Sequence, residues 1–189
     1  MSDKTWEWLK ICCEAIKKNE ELLTDLDRRI GDGDHGVNMV RGFEAIIATL
    51  DEKNALKTAA NAVMNSVGGA AGSLYGSGLY AASKKIDRIE GIDDLITFLE
   101  AMLFRIKELG GASVGDKTIV DVLKPSLDVL REKRSVEEMI NTARNAMAAT
   151  KDMVAKKGRA SYLKERSIGT QDPGATSMYL MIEAWHGLL

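Results

Sequence analysis

The sequence predicts an all-α fold, a bundle of antiparallel helices that run up and down. Apolar residues recur at helical spacing along almost all of the 189 residues, as Trp6, Leu9, Cys13 and Ile16 illustrate. Only two prolines occur in the chain. Alternating β-branched runs bounded by hairpin turns are absent from the sequence. We therefore expect one all-helical domain over residues 1–189.

About eight helices, and a last one at the C-terminal end, follow from this periodicity and from the residues that cap it. Ser135 and Glu138 fit a capping box. Asp172 followed by Pro173 provides an N-cap and a first helical residue. The predicted helices cover roughly 4–19, 20–29, 36–51, 54–67, 72–88, 92–109, 116–132, 135–158 and 173–188.

Glycines concentrate in four of the predicted connections. These connections are residues 31–36, 68–72, 110–115 and 169–174. They follow about every second helix, and alternate connections of an up-and-down bundle lie at the same end. We therefore expect all four to meet at one pole.

Composition and charge exclude several classes of function. The formal net charge is −2, so the sequence shows no broad basic face for nucleic acid, although basic residues gather locally over 156–166. Apolar runs stay far short of the ~20 residues that cross a bilayer, and the N-terminus does not look like a signal peptide. Cys12 and Cys13 are adjacent and are expected to be reduced thiols. These features predict a cytoplasmic protein with no membrane partner.

The segment Asp27–Asn38, DRRIGDGDHGVN, carries the chemistry. Asp27, Asp32 and Asp34 lie close together in sequence, and three crowded carboxylates repel one another. Mg²⁺ prefers oxygen ligands and reverses that cost. Two such ions would leave a net positive charge, which a polyphosphate can neutralise. His35 and Asn38 follow at the start of the next helix, where a helix N-terminus also favours phosphates.

The acidic segment fits a metal site better than a plain turn or an EF-hand, and the chain has no common nucleotide-binding motif. An Asp- and Gly-rich turn with an N-cap would need fewer carboxylates than this segment has. An EF-hand counted from Asp32 would require an oxygen ligand, a glycine and a glutamate where Gly36, Val37 and Phe43 stand. The Walker and GxGxxG motifs are both absent. The small residues over 66–72 either admit a phosphate or allow close helix packing.

Five ordered blocks together resemble the L subunit of dihydroxyacetone kinase. They are GDGDHGVNM, SVGGAAGSLYG, VGDKT, KGRASYLKERSIG and QDPGATS. The resemblance spans the chain and implies an eight-helix antiparallel up-and-down barrel with a nucleotide site at one pole.

The resemblance also implies a set of site residues. Two Mg²⁺ ions would be bound by Asp27, Asp32 and Asp34. The nucleotide, ADP or ATP, would contact His35, Gly36, Val37, Asn38, Ala70, Ala71, Gly110, Ile119, Arg159, Asp172, Pro173 and Gly174. No catalytic residue is assigned to this chain, because the general base is expected on a partner subunit.

The implied activity is phosphoryl transfer from the Mg-bound nucleotide to dihydroxyacetone held on a separate K subunit. An M subunit of the phosphotransferase system would rephosphorylate ADP in place, and a homodimer is possible. Two alternatives stay open at this stage. One is a kinase module that uses exchangeable ATP, as in single-chain dihydroxyacetone kinases or fatty-acid kinases. The other is a regulatory module that senses ADP against ATP.

Overall fold

The computed structural model describes residues 3–49 and 54–189, and its regular secondary structure there is entirely helical. The nine α-helices of the described residues are α1 (Lys4–Lys18), α2 (Glu20–Ile30), α3 (His35–Thr49), α4 (Ala55–Ser66), α5 (Gly69–Ser83), α6 (Ile92–Gly110), α7 (Ile119–Lys133), α8 (Val136–Ala149) and α9 (Pro173–Glu183). Two 3₁₀ segments, Thr150–Asp152 and Arg159–Ser167, lie between α8 and α9. The predicted all-α class is confirmed.

The helices form a closed ring. From α2 to α9 each helix packs against the next one along the chain, and α9 packs back against α1 and α2. α1 also packs on α3, so the ring consists of α1 and of α3 to α9. The short α2 lies against α3 and α9. Neighbouring helices joined by short connections are antiparallel. The arrangement is the up-and-down helical barrel that the sequence resemblance implies.

Aromatic side chains close the ring where its first and last helices meet. Trp8 of α1 stacks on Trp185, with ring centroids 5.0 Å apart and planes 12° apart. Phe98 of α6 meets the other side of Trp8 edge-on at 5.3 Å. The Trp8 indole donates a hydrogen bond of 2.8 Å to the Met181 carbonyl. Buried aromatic rings contribute large apolar areas, and here they join three helices.

The predicted helix boundaries are wrong at several ends, and each difference has a local cause. The last helix ends at Glu183 rather than 188, and α5 begins at Gly69 rather than 72, since the small residues form its first turn. The end predicted for the third helix, 51, lies outside the described residues. α7 begins at Ile119 rather than 116, because Thr118 and Asp121 form a capping box there.

The largest difference concerns α8, which ends at Ala149 rather than 158. Thr150 is fully buried, and its hydroxyl accepts the backbone N–H of Asp172 at 3.0 Å. That contact draws the chain towards the start of α9 and away from a helical path. The residues that follow are therefore free to run beside the pole.

Two smaller expectations concern the cysteines and the membrane. Cys12 and Cys13 are both buried and carry free thiols, as predicted. Within the described ranges, no helix combines the length and the apolar character that crossing a membrane requires.

Gly36 of α3 packs closely against α2. A Cβ at this position would lie 2.2 Å from the Glu20 carbonyl oxygen and 2.3 Å from Thr24 Oγ1. Such distances are far inside van der Waals contact, so the two helices could pack this closely only with glycine here.

We predict that Gly36→Ala lowers the free energy of unfolding by ~1–3 kcal/mol, because the methyl group forces α3 away from α2. Urea unfolding measures the change. Gly91→Ala is the matched control, since a Cβ at Gly91 meets nothing within 4 Å and its φ is −157°. The control should change stability by less than about 1 kcal/mol, the usual cost of alanine at an N-cap. Equal stability of the two variants would contradict the close packing.

Candidate functional site

The three aspartates of the acidic segment form a compact cluster. Asp27 lies in the last turn of α2, and Asp32 and Asp34 lie in the turn that leads to α3. One carboxylate oxygen from each lies within 4.8 Å of the other two. Asp27 is buried, whereas Asp32 and Asp34 are exposed. Hard oxygen donors gathered in this way, with one side open, are suited to a divalent cation such as Mg²⁺.

Asp27 holds the turn in shape through its second oxygen. Asp27 Oδ2 accepts the backbone N–H of Asp34 at 2.9 Å and that of His35 at 3.1 Å. A Cβ on Gly31 would lie 2.1 Å from Asp27 Oδ1, so the turn needs glycine at that position. The geometry of the cluster is therefore set by the chain itself.

His35 lies at the start of α3 in a buried polar network. Its Nε2 lies 2.9 Å from Ser177 Oγ of α9, and Tyr75 Oη of α5 lies 2.7 Å from the same hydroxyl. Burial lowers the pKa of His35, although the nearby Asp27 and Asp34 oppose the shift. The network ties three helices together directly beneath the acidic cluster.

One cation meets the cluster directly. Arg159 Nη2 lies 3.0 Å from Asp32 Oδ2, and the side chain of Arg159 is mostly exposed. A guanidinium in this position can pair with a carboxylate or with a phosphate oxygen. Arg159 comes from the second 3₁₀ segment, which packs against α2.

Asp172 caps the N-terminus of α9. Its Oδ2 accepts the backbone N–H of Ala175 at 2.7 Å. Burial raises the pKa of Asp172 to about 7, and the smaller effects of the Ala175 N–H and of Lys117 act in the opposite direction. This carboxyl therefore titrates near neutral pH in the folded protein.

All four glycine-rich connections meet around one cavity of about 580 Å³. That volume is in the range of small-molecule and cofactor sites. Its lining residues come from the ends of six helices and from the segment after α8. The expectation that these connections share a pole agrees with the structure.

The cavity has a polar and an apolar part. Helices α3, α5, α7 and α9 all begin at the cavity, and α5 has no side-chain cap on its first N–H groups. Helix N-termini favour anions such as phosphate. Apolar side chains also line the cavity, among them Leu74, Ile106, Leu109 and Ile119. The cavity therefore suits a ligand with an anionic end and a flat, apolar end.

The family is decided by comparison with known proteins. A family model described as the DAK2 domain matches residues 29–187. The chain belongs to the DAK2 domain family.

Three relatives of this DAK2 protein have nearly its length. The ADP-binding subunit of PEP-dependent dihydroxyacetone kinase 1 of Listeria innocua is 41% identical, over 96% of this chain and 95% of that one. The ADP-binding subunit of the PTS-dependent enzyme of Lactococcus lactis is 39% identical, over 96% and 94%. The ADP-binding subunit of the PEP-dependent enzyme of Escherichia coli is 37% identical, over 93% and 91%. These names confirm the predicted resemblance and the kinase class.

Solved structures confirm the fold of the DAK2 domain. The native dihydroxyacetone kinase of C. freundii matches with a TM-score of 0.74 and 23% identity, over 94% of this chain and 33% of that one. The complex of the same kinase with AMP-PNP and Mg²⁺ matches with a TM-score of 0.73 and 22% identity, over 94% and 32%. At this level of identity the likeness concerns the fold alone.

The structure brings most of the residues predicted for the site to the cavity. All three aspartates line it, and so do nine of the twelve residues predicted for the nucleotide: His35, Ala70, Ala71, Gly110, Ile119, Arg159, Asp172, Pro173 and Gly174. Gly36, Val37 and Asn38 do not line it. Gly36 packs on α2, Val37 is exposed and Asn38 is buried. The ligand roles of all these residues stay predictions.

Sequence reasoning missed Lys117, which also lines the cavity. Lys117 belongs to the block VGDKT, whose pattern alone does not predict a role for the lysine. The residue has a positive φ of 62° and is almost completely buried. The sequence shows only a lysine just after a glycine-rich connection, and its burial is visible only in the fold.

We predict that Asp172 makes the metal-free DAK2 domain less stable as pH rises. An unfolded aspartate titrates near about 3.9. Since burial raises the folded pKa to about 7, the stabilising contribution of the protonated carboxyl is complete below about pH 4 and lost by about pH 7. Asp172→Asn keeps the cap and cannot titrate. The free energy of unfolding of wild type minus variant should therefore fall by a few kcal/mol over this window.

Urea unfolding in EDTA at several pH values measures this difference. Asp25→Asn is the control, because Asp25 is exposed on α2 and pairs with Arg28. The change with pH for Asp172→Asn should exceed the change for Asp25→Asn, because an exposed ion pair contributes little to stability. If the free energy of unfolding of wild type minus Asp172→Asn does not change from pH 4 to 7, the Asp172 carboxyl is ionised over that whole range.

Proposed function

We propose that this chain is the nucleotide-carrying subunit of a PEP-dependent dihydroxyacetone kinase. The observation that carries the proposal is the three-carboxylate cluster at the mouth of a cavity ringed by helix N-termini. Relatives of nearly the same length, named as ADP-binding subunits of such kinases, support it. Phosphoryl transfer depends mainly on positioning and on electrostatic stabilisation, and both are within reach of this site.

Asp27, Asp32 and Asp34 would hold two Mg²⁺ ions. The residues fit the ions, because three carboxylate oxygens converge within 4.8 Å and face only one close cation, Arg159, among the described residues. Bound Mg²⁺ would neutralise the charge of the β- and γ-phosphates during transfer. Asp27 keeps its place with or without the ions, since backbone N–H groups hold its other oxygen.

The remaining cavity residues would orient the nucleotide. α5 begins at the cavity, and its first turn includes Ala70 and Ala71. The free N–H groups of this turn would bind phosphate oxygens. Arg159 would pair with the phosphates from the opposite side. The adenine would lie on the apolar part, against Ile106 and Ile119. The nucleotide would thus span the pole with its phosphates at the acidic cluster.

The acceptor, dihydroxyacetone, would come from a separate K subunit, which would also supply the general base. An M subunit of the phosphotransferase system would rephosphorylate ADP in place.

Exposed apolar side chains around the cavity mouth support docking of a partner. Val114 and Tyr162 are both exposed, and each belongs to a connection that lines the cavity, at Ala112 and at Arg159. The homodimer and the cytoplasmic location stay predictions.

We predict that Asp32→Asn abolishes product formation with a K subunit and a phosphoryl donor system, because one of the three carboxylate ligands is lost. Native mass spectrometry of the wild-type protein should show ADP with about two Mg²⁺ ions, and the variant should carry neither. Asp25→Asn, on the same helix but exposed and paired with Arg28, should behave as wild type. Circular dichroism should show the same helicity in all three proteins.

Undiminished turnover by Asp32→Asn would overturn the metal assignment. A wild-type protein that is purified empty, yet turns over with added ATP, would favour the alternative with exchangeable nucleotide. No transfer with any K subunit would favour the regulatory alternative.

We predict that Tyr162→Ala raises the concentration of K subunit needed for half-maximal turnover by at least about fivefold, as loss of an exposed aromatic anchor would do. Tyr162 is 83% exposed, beside the cavity mouth. Phe104→Ala is the matched control. Phe104 is 71% exposed, but it lies two residues before Ile106 and hence on the opposite face of α6 from the cavity. ADP binding should not change in either variant, and equal effects on turnover would contradict docking at the mouth.

A further inference from the structure

Polar contacts rather than apolar packing attach the segment that carries Arg159 to the helical ring, and one of them is the Lys156 N–H, which donates to the Asp116 carbonyl at 3.1 Å. It runs over residues 153–169, between the first 3₁₀ turn and the connection to α9. Within it only Ala155 and Ser167 are buried. Gly158 and Gly169 adopt left-handed backbone angles, with φ of 64° and 91°. Apolar packing therefore does little to fix the position of the 153–169 segment.

Lys117 provides the attachment that the apolar core does not. Its ammonium donates one hydrogen bond to the Met153 carbonyl at 3.1 Å and another to the Ser167 carbonyl at 2.5 Å. These two carbonyls lie near the two ends of the 153–169 segment. Lys117 itself immediately precedes the capping box of α7, which belongs to the ring. One side chain thus joins both ends of the segment to the barrel.

Burying Lys117 is costly, so its position calls for an explanation. The residue is only 1% exposed, and its backbone has the left-handed φ of 62°. A buried ammonium needs hydrogen-bond partners, and left-handed angles are unfavourable for residues other than glycine. Although Lys117 lines the cavity, its ammonium is already engaged by the two carbonyls. Its effect must pass through the groups that it holds.

A second contact strengthens the attachment at the C-terminal end. The Ser167 hydroxyl accepts the backbone N–H of Ala155 at 2.9 Å and donates to the Lys164 carbonyl at 2.6 Å. The segment is thereby folded back on itself, with Met153 and Ser167 close to one ammonium. Between those two points it presents Arg159 to Asp32 at 3.0 Å.

We propose that Lys117 is a positioning residue: by holding both ends of the 153–169 segment, it keeps Arg159 over the acidic cluster and thereby sets how long a nucleotide stays bound. The second part of this proposal rests on the proposed function. The first part, attachment of the segment, does not depend on any ligand. The two parts can therefore be tested separately.

The ligand-free test is limited trypsin digestion of the full chain in EDTA, followed by mass spectrometry of the fragments. Lys117→Met removes the ammonium and keeps a side chain of similar length. Cleavage after the basic residues over 156–166 should become at least about tenfold faster, while cleavage elsewhere should not change. Lys124→Met is the matched control, because Lys124 is exposed on α7 and pairs with Asp128. Lys117→Met with wild-type cleavage rates would overturn the attachment.

The ligand test measures the release of a fluorescent ADP analogue in the presence of Mg²⁺. Lys117→Met should release it at least about tenfold faster, equivalent to ~1.4 kcal/mol, whereas Lys124→Met should not change the rate. Lys117→Arg, which keeps the charge, should restore slow release in part. If Lys117→Met speeds cleavage of the 153–169 segment but not release of the ADP analogue, the proposed role of Lys117 in retaining the nucleotide is overturned. If the wild-type protein binds no adenine nucleotide, the proposed function fails, and the digestion alone decides the attachment.

A double-mutant cycle shows whether Lys117 acts through Arg159. Arg159→Gln alone should also speed release. If the two residues act together, the double variant should release no faster than the faster single variant. Multiplied effects would show that Lys117 stabilises the site by another route and would overturn the proposal.

Ser167→Ala keeps the test decisive if Lys117→Met does not fold. This variant retains the ammonium and removes the hydroxyl that joins Ala155 to Lys164. It should speed both cleavage of the 153–169 segment and release of the ADP analogue, with a melting temperature close to wild type. Wild-type values for both rates would overturn the proposal.

Discussion

One carboxylate oxygen, Asp27 Oδ2, determines the geometry of the whole pole. By accepting the N–H groups of Asp34 and His35, it joins the last turn of α2 to the first turn of α3. The same bonds hold the acidic turn in place and leave Asp27 Oδ1 to the cluster, close against Gly31. His35 then connects the turn to α9 through Ser177. A site arranged in this way is preorganised, so that little reordering has to accompany binding.

Charge at the pole is balanced between anions fixed by the chain and partial charges of its helices. The acidic cluster and Asp172 place four carboxyl groups around one cavity, and burial raises the pKa of Asp172 to about 7. Four helix N-termini and Arg159 provide the opposing positive charge. The carboxylates alone repel an anionic ligand, whereas the helix N-termini and Arg159 attract it. A cation and a phosphate group together satisfy both sets, which explains why the two ligands would bind cooperatively.

The sequence was sufficient for features that depend on local pattern. Helical spacing of apolar residues predicted the all-α class, and the crowded aspartates predicted the cluster. Asp172 and Pro173 showed the start of α9 directly, because caps involve residues only a few positions apart. Features that depend on distant contacts could not be found in this way. Thr150 ends α8 through Asp172, 22 residues away, and Lys117 bonds to carbonyls 36 and 50 residues away.

The stacking of Trp8 on Trp185 brings the two ends of the described chain side by side. A ring of helices closed in this way has no structurally privileged starting point. In a circular permutant, a short linker would join these ends, and the new termini would lie in an exposed connection at the same end of the barrel. Such a change would preserve the packing around the ring. Adjacent termini also allow a fold to be joined to other domains through either end. The architecture is therefore suited to circular permutation and to fusion, with the ligand pole left undisturbed.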